Sequence, residues 1–157
     1  MKKAVFVILA CMLIIPAVSN AQGRAIGLRF GGGNLVGAEI SYQTPFNGDR
    51  LELDLGIKSS SHWSHWSLTG IYQWVWQIEG GFYWYAGVGP SIGNRSYSGP
   101  GYRDDGMFLA AALNAGVEYN FEEIPLQLSV DIRPELGLIN TYDRGVFSLA
   151  LGVRYRF

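Results

Sequence analysis

Apolar and polar residues alternate along most of the chain after residue 21. The clearest example is the last segment, in which small or charged residues alternate with Phe147, Leu149, Leu151, Val153, Tyr155 and Phe157. A period of two residues places the apolar side chains on one face of a β-strand. The pattern predicts eight strands, at 24–31, 36–43, 50–58, 66–78, 82–93, 107–121, 126–137 and 146–157.

The linkers between these strands differ in length. Short linkers containing Asn-Gly, Gly-Gly or Pro follow the second, fourth and sixth strands and are typical of tight turns. The linkers after the third, fifth and seventh strands are longer, and the longest is 94–106. The first linker, 32–35, is the exception, because it is short on the side where the others are long. This alternation favours an antiparallel up-and-down β-barrel whose tight turns lie at one end.

The alternation alone does not decide which face of the strands is inside. A soluble ligand-binding barrel encloses the apolar face, whereas a membrane barrel exposes it to lipid. The polar face carries many small residues, which suit the crowded interior of an eight-stranded barrel. Its charges nearly balance, as buried charges must in order to pair. We therefore expect an all-β, eight-stranded transmembrane barrel, with a soluble periplasmic ligand-binding barrel as an alternative.

The expected interior charge network consists of nine residues on the polar face. They are Arg29, Glu39, Glu52, Asp54, Glu118, Asp131, Arg133, Glu135 and Arg154. We expect ion pairs between neighbouring strands, with Glu39 bound to Arg29. By the same reasoning, Arg154 and Glu118 are expected to pair with the three charged residues of the seventh strand, Asp131, Arg133 and Glu135. Such a network would make the barrel rigid.

Aromatic residues accumulate near the end where the tight turns lie. They are Tyr42, Trp74, Trp76, Trp84, Tyr119, Phe121 and Tyr155. Transmembrane barrels carry girdles of aromatic residues at the membrane interfaces. These seven residues are therefore predicted to mark one membrane interface.

The first 21 residues predict a cleaved export signal. Lys2 and Lys3 precede an apolar run at 4–15, and small residues precede a cleavage site after Ala21. The apolar run is too short to span a bilayer as a helix. We expect a signal peptide at 1–21 and one barrel domain at 22–157, without a disulfide, because Cys11 is the one cysteine of the sequence.

Composition narrows the possible partners. The sequence of 157 residues is 48% hydrophobic and 16% charged, which excludes a disordered chain. The formal net charge of -1 argues against nucleic acid as a partner, since phosphate binding requires clustered Lys and Arg. The sequence indicates neither a metal site nor a cofactor.

The chain resembles the OmpA/OmpX-like superfamily of small, porin-like, eight-stranded outer-membrane barrels. The resemblance rests on the export signal, the strand count, glycine-rich strands such as 81–89, and the terminal Phe157 preceded by alternating apolar residues. It implies a location in the outer membrane of a Gram-negative bacterium, among membrane lipid and lipopolysaccharide. It also implies that Phe157 is the assembly signal read by the barrel assembly machinery.

The superfamily includes structural barrels, adhesins and enzymes, so fold does not decide activity. An eight-stranded barrel is filled by its own side chains, so we expect no open pore. We expect a monomer that is not an enzyme and has a structural or surface-interaction role, with a surface ligand that the sequence does not name. The linker 94–106 contains Tyr97, Tyr102 and Arg103, residue types favoured as anchors in interfaces.

One loop supports an alternative function. The stretch 59–65 contains Ser61, His62 and His65, and small outer-membrane lipid A deacylases use a Ser–His pair as nucleophile and base. The alternative is therefore a membrane-embedded, lipid A-modifying hydrolase. However, no acidic residue adjoins the pair and the full family motif is absent.

Deleting Phe157 tests the assembly signal. We expect a large fall in the amount of protein assembled in the outer membrane, because the terminal aromatic residue would no longer be recognised. The strands themselves should change little. The measurement is the amount of heat-shifted barrel in the outer-membrane fraction, and a normal amount of the truncated protein would argue against the signal.

Overall fold

The computed structural model describes residues 23–31, 37–60, 63–99, 102–139 and 146–157. The export signal predicted at 1–21 lies outside these ranges, and so do Ser61 and His62. The division into a signal peptide and a barrel domain at 22–157 stays a prediction.

Within the described ranges, eight antiparallel strands form one closed barrel in chain order, and the last strand pairs with the first. The strands are β1 (Ala25–Gly31), β2 (Gly37–Phe46), β3 (Asp49–Ser60), β4 (Trp63–Glu79), β5 (Phe82–Gly99), β6 (Tyr102–Asn120), β7 (Leu126–Ile139) and β8 (Val146–Arg156). The predicted eight-stranded, up-and-down barrel is therefore confirmed. No helix in the described part of the chain is long and apolar enough to cross a membrane.

Tight turns join the strands at one end of the barrel. Between β2 and β3, Asn47 and Gly48 both have positive φ angles, of 51° and 86°. A type I′ hairpin turn requires this conformation at both central residues, which explains the Asn-Gly sequence. The β4–β5 turn uses Gly80, with a φ of 54°, and a longer turn at 121–125 joins β6 to β7. We call this end the turn end and the opposite end the mouth.

The hairpins at the mouth are longer than the sequence predicts. In the predicted linker 94–106, β5 and β6 remain paired from Arg95–Gly106 to Gly99–Tyr102. In the predicted loop 59–65, β3 and β4 remain paired up to Ser60–Trp63. Ladder hydrogen bonds join backbone groups and do not need the apolar alternation by which the strands were recognised. The strands therefore continue into polar sequence.

The strands are strongly tilted. Stepping from each residue to its partner in the next strand, and taking Ile71 as opposite Gly89 because the β4–β5 register is the same on both sides of them, a full circuit from Arg156 of β8 returns to β8 at Val146. This stagger determines which residues share a level inside the barrel, since tilt and stagger are linked in closed barrels.

Glycines allow close approach between β4 and β5. A Cβ atom at Gly89 would overlap the carbonyl oxygen of Gly70 and lie 2.9 Å from the Cα of Ile71. At Gly70 a Cβ atom would meet only a leucine methyl group, at 3.4 Å. The two glycines lie on adjoining strands, but only Gly89 requires the absence of a side chain.

Gly89→Ala is expected to destabilise the barrel by at least about 1–3 kcal/mol, because the added methyl group forces the backbones of β4 and β5 apart. Gly70→Ala is the matched control and should leave stability nearly unchanged. The measurement is the urea concentration at the unfolding midpoint in detergent micelles. Equal midpoints for the two variants would contradict the close approach.

Candidate functional site in the barrel interior

The two faces of the barrel wall differ sharply in polarity. Large apolar side chains lie on the outer surface, and Ile57, Met107 and Leu138 are each more than 60% exposed. The buried side chains are mainly polar, and Arg154 and Glu52 are both fully buried. A soluble ligand-binding barrel would have the reverse arrangement. The structure therefore excludes that alternative and shows the face distribution of a transmembrane barrel.

The charged interior side chains form a network around four arginines. Arg29 of β1 donates hydrogen bonds to Asp131 of β7, with Nη2 2.5 Å from Oδ1. Its Nη1 lies 2.9 Å from Oε2 of Glu39, its directly opposite partner on β2. Arg29 thus joins three strands around one guanidinium.

Arg133 of β7 reaches the opposite wall of the barrel. Its Nη1 donates to Oδ2 of Asp54 on β3 at 2.7 Å, and its Nη2 donates to Glu39 at 2.6 Å. Its Nε lies 3.5 Å from Oε1 of Glu135. Glu39 therefore accepts from both Arg29 and Arg133 and links the two guanidinium groups.

Arg154 of β8 lies nearer the turn end and is fully buried. It donates to Oε2 of Glu52 at 3.1 Å, to Ser41 Oγ at 2.9 Å and to Ser129 Oγ at 2.7 Å. The Gln43 amide also donates to Glu52 Oε2, at 2.5 Å. The Nε, Nη1 and Nη2 atoms of Arg154 each donate to an acceptor, which offsets part of the free-energy cost of burying the charge.

Arg50 also belongs to the network, although the sequence pattern did not predict it. Its Nη1 lies 2.9 Å from both carboxylate oxygens of Glu118, and its Nε donates to Gln73 at 2.7 Å. Its guanidinium lies 5.0 Å from the ring centroid of buried Tyr85. The two-residue period could have identified Arg50 as an interior residue, because it shares its strand face with Glu52 and Asp54, two and four residues further along β3.

The structure corrects most of the expected pairings. Among the ion pairs between described side chains, that of Arg29 with Glu39 joins neighbouring strands as predicted. Asp131 binds Arg29 rather than Arg154, and Glu118 binds Arg50. The residues directly opposite Arg154 are Gly27 and Gln127, which carry no charge. A long guanidinium side chain in a narrow bore therefore reaches acceptors two or more strands away.

The aromatic residues at the turn end form contacts on the outer surface. Trp76 stacks on Trp84, with ring centroids 4.2 Å apart. Tyr119 contacts Phe82 at 4.5 Å and Phe121 at 4.8 Å. Phe82, which is 54% exposed, joins this group although the sequence pattern did not predict it.

The remaining predicted aromatic residues lie at the same end. Trp74 contacts Tyr72 at 5.3 Å, and Tyr72 contacts Phe46 at 6.1 Å. Tyr42 of β2 and Tyr155 of β8 lie directly opposite the same β1 residue, Ile26, in the two neighbouring strands. This group of aromatic residues surrounds the turn end, as an interface girdle would.

The candidate assembly residue closes the barrel at its termini. The backbone N–H of Phe157 donates to the carbonyl oxygen of Arg24 at 3.0 Å. This bond continues the β1–β8 ladder beyond the last strand residue. Recognition of Phe157 by an assembly machinery stays a prediction.

The catalytic candidates are not assembled within the described residues. His65 lies in β4, not in a loop, and its ring stacks on Phe108 of β6, with centroids 5.5 Å apart and an interplanar angle of 11°. Ser61 and His62 fall outside the described ranges. Those ranges also contain no group of three His, Cys, Asp or Glu side chains that could hold a metal ion.

The fold is similar to solved outer-membrane barrels. The N-terminal β-barrel domain of OprF from Pseudomonas aeruginosa superposes with a TM-score of 0.74 at 18% identity, over 87% of this chain and 100% of that one. Neisserial surface protein A (NspA) gives 0.63 at 18% identity, over 86% and 95%. Ail, the attachment invasion locus protein of Yersinia pestis, gives 0.60 at 17% identity, over 86% and 97%.

These likenesses agree with the resemblance drawn from the sequence, and the chain has the fold of the small eight-stranded outer-membrane barrels. No protein-family model and no curated protein sequence matches the chain.

Arg154→Met tests the interior network. It leaves Glu52 buried without its cation, so we expect a loss of about 3–5 kcal/mol in the free energy of unfolding. Combining it with Glu52→Gln should restore part of that loss, because the uncompensated charge is removed. The measurement is urea unfolding followed by tryptophan fluorescence.

Arg156→Gln is the control, since it removes an arginine from the same strand at the partly exposed barrel end. It should cost less than about 1 kcal/mol. The same loss for Arg154→Met with and without Glu52→Gln would show that the two residues are not coupled.

Proposed function

We propose that the chain is an integral protein of the bacterial outer membrane, with a structural or surface-interaction role and no open pore. One observation carries the proposal: an apolar outer surface surrounds an interior filled with ion-paired side chains. In lipid, a closed barrel lets the backbone N–H and C=O groups of its strands form hydrogen bonds with neighbouring strands, so that none is left exposed to the hydrocarbon. The aromatic residues at the turn end support a membrane interface there.

The interior supports the absence of an open pore. Arg133 spans the bore from β7 to Asp54 on β3, and Arg50 spans it from β3 to Glu118 on β6. These ion pairs cross the space through which a solute would pass. Opening the bore would require separating buried charges, which costs several kcal/mol for each pair.

The proposed orientation places the turn end in the periplasm and the mouth outside the cell. Outer-membrane barrels have short periplasmic turns and longer extracellular loops. The β5–β6 hairpin, which extends to Gly99 and Tyr102, is then a surface feature. NspA is named as a surface protein and Ail as an attachment invasion locus protein, which supports a surface role by analogy.

The partners follow from this location. We propose that the outer wall contacts outer-membrane lipid and lipopolysaccharide, that the barrel assembly machinery inserts the chain, and that the barrel functions as a monomer. The hydrolase alternative gains no support from the described residues, since His65 stacks on Phe108 within the barrel wall. The role proposed here is therefore non-catalytic.

Cysteine labelling of intact cells tests location and orientation together. The sequence has a single cysteine, Cys11, within the predicted signal peptide. Ser98→Cys, near the tip of the β5–β6 hairpin, is expected to react with a membrane-impermeant maleimide. Glu123→Cys, in an exposed turn at the other end, should react only after the outer membrane is permeabilised.

Both variants should sediment with the outer membrane and shift in apparent mass on boiling, which shows that the barrel has folded. Labelling of Glu123→Cys alone in intact cells would reverse the orientation. Recovery of both variants in the soluble periplasmic fraction would overturn the membrane location.

A further inference from the structure

The strands of the β5–β6 hairpin are longer than a membrane requires. β5 has 18 residues and β6 has 19, whereas a tilted strand crosses the hydrocarbon layer in about 9–11 residues. Counted from the turn end, where the aromatic residues lie, about nine residues bring β5 from Phe82 to Pro90. The rest of the hairpin therefore lies at or beyond the outer boundary of the membrane.

A proline interrupts the ladder on one flank of this hairpin. Pro90 keeps its pairing with Ala111 of β6. Among the described residues, the β4–β5 ladder omits Gly89 and Pro90 and resumes at Ser91, the partner of Thr69. Proline has no backbone N–H and cannot donate the hydrogen bond that the β4 side of this position requires. The attachment of β5 to β4 is therefore weakened at Pro90.

A second proline interrupts the ladder on the other flank. Pro134 of β7 keeps its pairing with β8, but the described β6–β7 ladder passes it over. Continuation of the register places Leu113 opposite Pro134, and Leu113 is two residues from Ala111, the partner of Pro90. The two prolines thus flank the hairpin at nearly the same level of the barrel wall.

The two flanks differ on the mouth side of the prolines. There, 63–69 of β4 pairs with 91–97 of β5 without a register shift. The described β6–β7 pairing beyond Pro134 covers only 109–112 of β6, and its register shifts between Leu109 and Ala110. A register shift leaves an extra residue unpaired and disrupts the ladder locally. The β6–β7 ladder is therefore the weaker attachment of the hairpin.

Side chains inside the barrel hold the hairpin on the turn-end side of the prolines. Glu118 of β6 pairs with Arg50 of β3. Asn114 of β6 accepts a hydrogen bond from Gln73 at 2.8 Å and donates one to Asp131 at 3.2 Å. The buried positions just beyond the prolines hold small residues, too short to reach the opposite wall, which are Ser91, Gly93, Ala110 and Ala112.

We propose that the mouth half of the β5–β6 hairpin, residues 91–99 and 102–111, is a flap that bends at the level of Pro90 and Pro134. The flap stays paired with β4, which forms the hinge side, while the short β6–β7 ladder separates. This movement opens the wall of the mouth between β6 and β7 and changes the surface that the mouth presents. The ion-paired part of the barrel stays closed.

The level of the bend makes the movement feasible. A backbone group that loses its ladder partner in hydrocarbon finds no other partner. At the outer boundary of the membrane, water can form the hydrogen bonds that the separated strands give up. This point rests on the proposed function, because it requires the barrel to lie in a membrane. The two ladder interruptions do not depend on it.

A disulfide across the β6–β7 ladder tests the movement in the full mature barrel, refolded in uncharged maltoside micelles. Ala111→Cys and Leu136→Cys occupy directly opposite positions, about 4.5–5.5 Å apart and within disulfide reach. Oxidation is expected to slow amide hydrogen exchange in 102–112 at least about tenfold, because the flap can no longer leave β7. Reduction should restore fast exchange, and the mass shift on boiling checks folding.

A matched disulfide within the flap is the control. Ile92→Cys and Leu109→Cys are directly opposite on β5 and β6, so their disulfide joins the two strands of the flap to each other. Exchange at 109–112 and 135–139 should be the same in the oxidised and reduced forms of this variant. If this disulfide slowed exchange as strongly as the first, the hairpin would be fraying between its own strands and the flap would be wrong.

Pro134→Ala tests the bend without a cross-link. Alanine restores a backbone N–H opposite Leu113, so exchange at 109–112 should slow by about two- to tenfold, the effect of one added hydrogen bond. Pro45→Ala, in β2 at the turn end, is the control and should leave this exchange unchanged. Unchanged exchange in Pro134→Ala, or equal exchange along the whole of β6 in the unsubstituted barrel, would overturn the flap. Neither result would bear on the outer-membrane location, which the labelling of intact cells tests separately.

Discussion

Closure of the backbone hydrogen-bond ladder is the constraint on which the rest of this structure depends. At membrane depth no water is present to satisfy an open sheet edge, so β8 must return to pair with β1. Their register runs from Ala25–Arg156 to Gly31–Ala150, and the Phe157–Arg24 bond extends it at the turn end. Once the ladder is closed, period-two alternation places every second side chain in a narrow bore.

That bore explains the chemistry of the interior. Side chains that face inward from opposite walls meet, so long charged residues and small residues must be combined. Gly116, for example, provides the space that the Tyr85 hydroxyl and Asp131 occupy. The guanidinium groups of Arg29, Arg133 and Arg154 then act as cross-links between strands that are distant in sequence. The charges that make the interior polar also hold opposite walls together.

The two ends of the barrel serve different purposes. The turn end has short connections, aromatic contacts on its outer surface and fully buried ion pairs just inside. Toward the mouth, β3 to β6 remain paired and continue into polar sequence.

The sequence alone determined the eight strands and which residues share a strand face, because a two-residue period and turn residues such as Asn47-Gly48 are local signals. The exposure of the apolar face, seen in the structure, then excluded the soluble barrel that the sequence had left as an alternative. The sequence also indicated which charges lie inside, apart from Arg50 at the strand boundary. Only the tertiary structure decided which charges pair, since Arg133 and Asp54 are brought together by barrel closure and stagger. It likewise decided how far the mouth hairpins extend, because ladder hydrogen bonds join backbone groups and continue into polar sequence where no apolar alternation marks a strand.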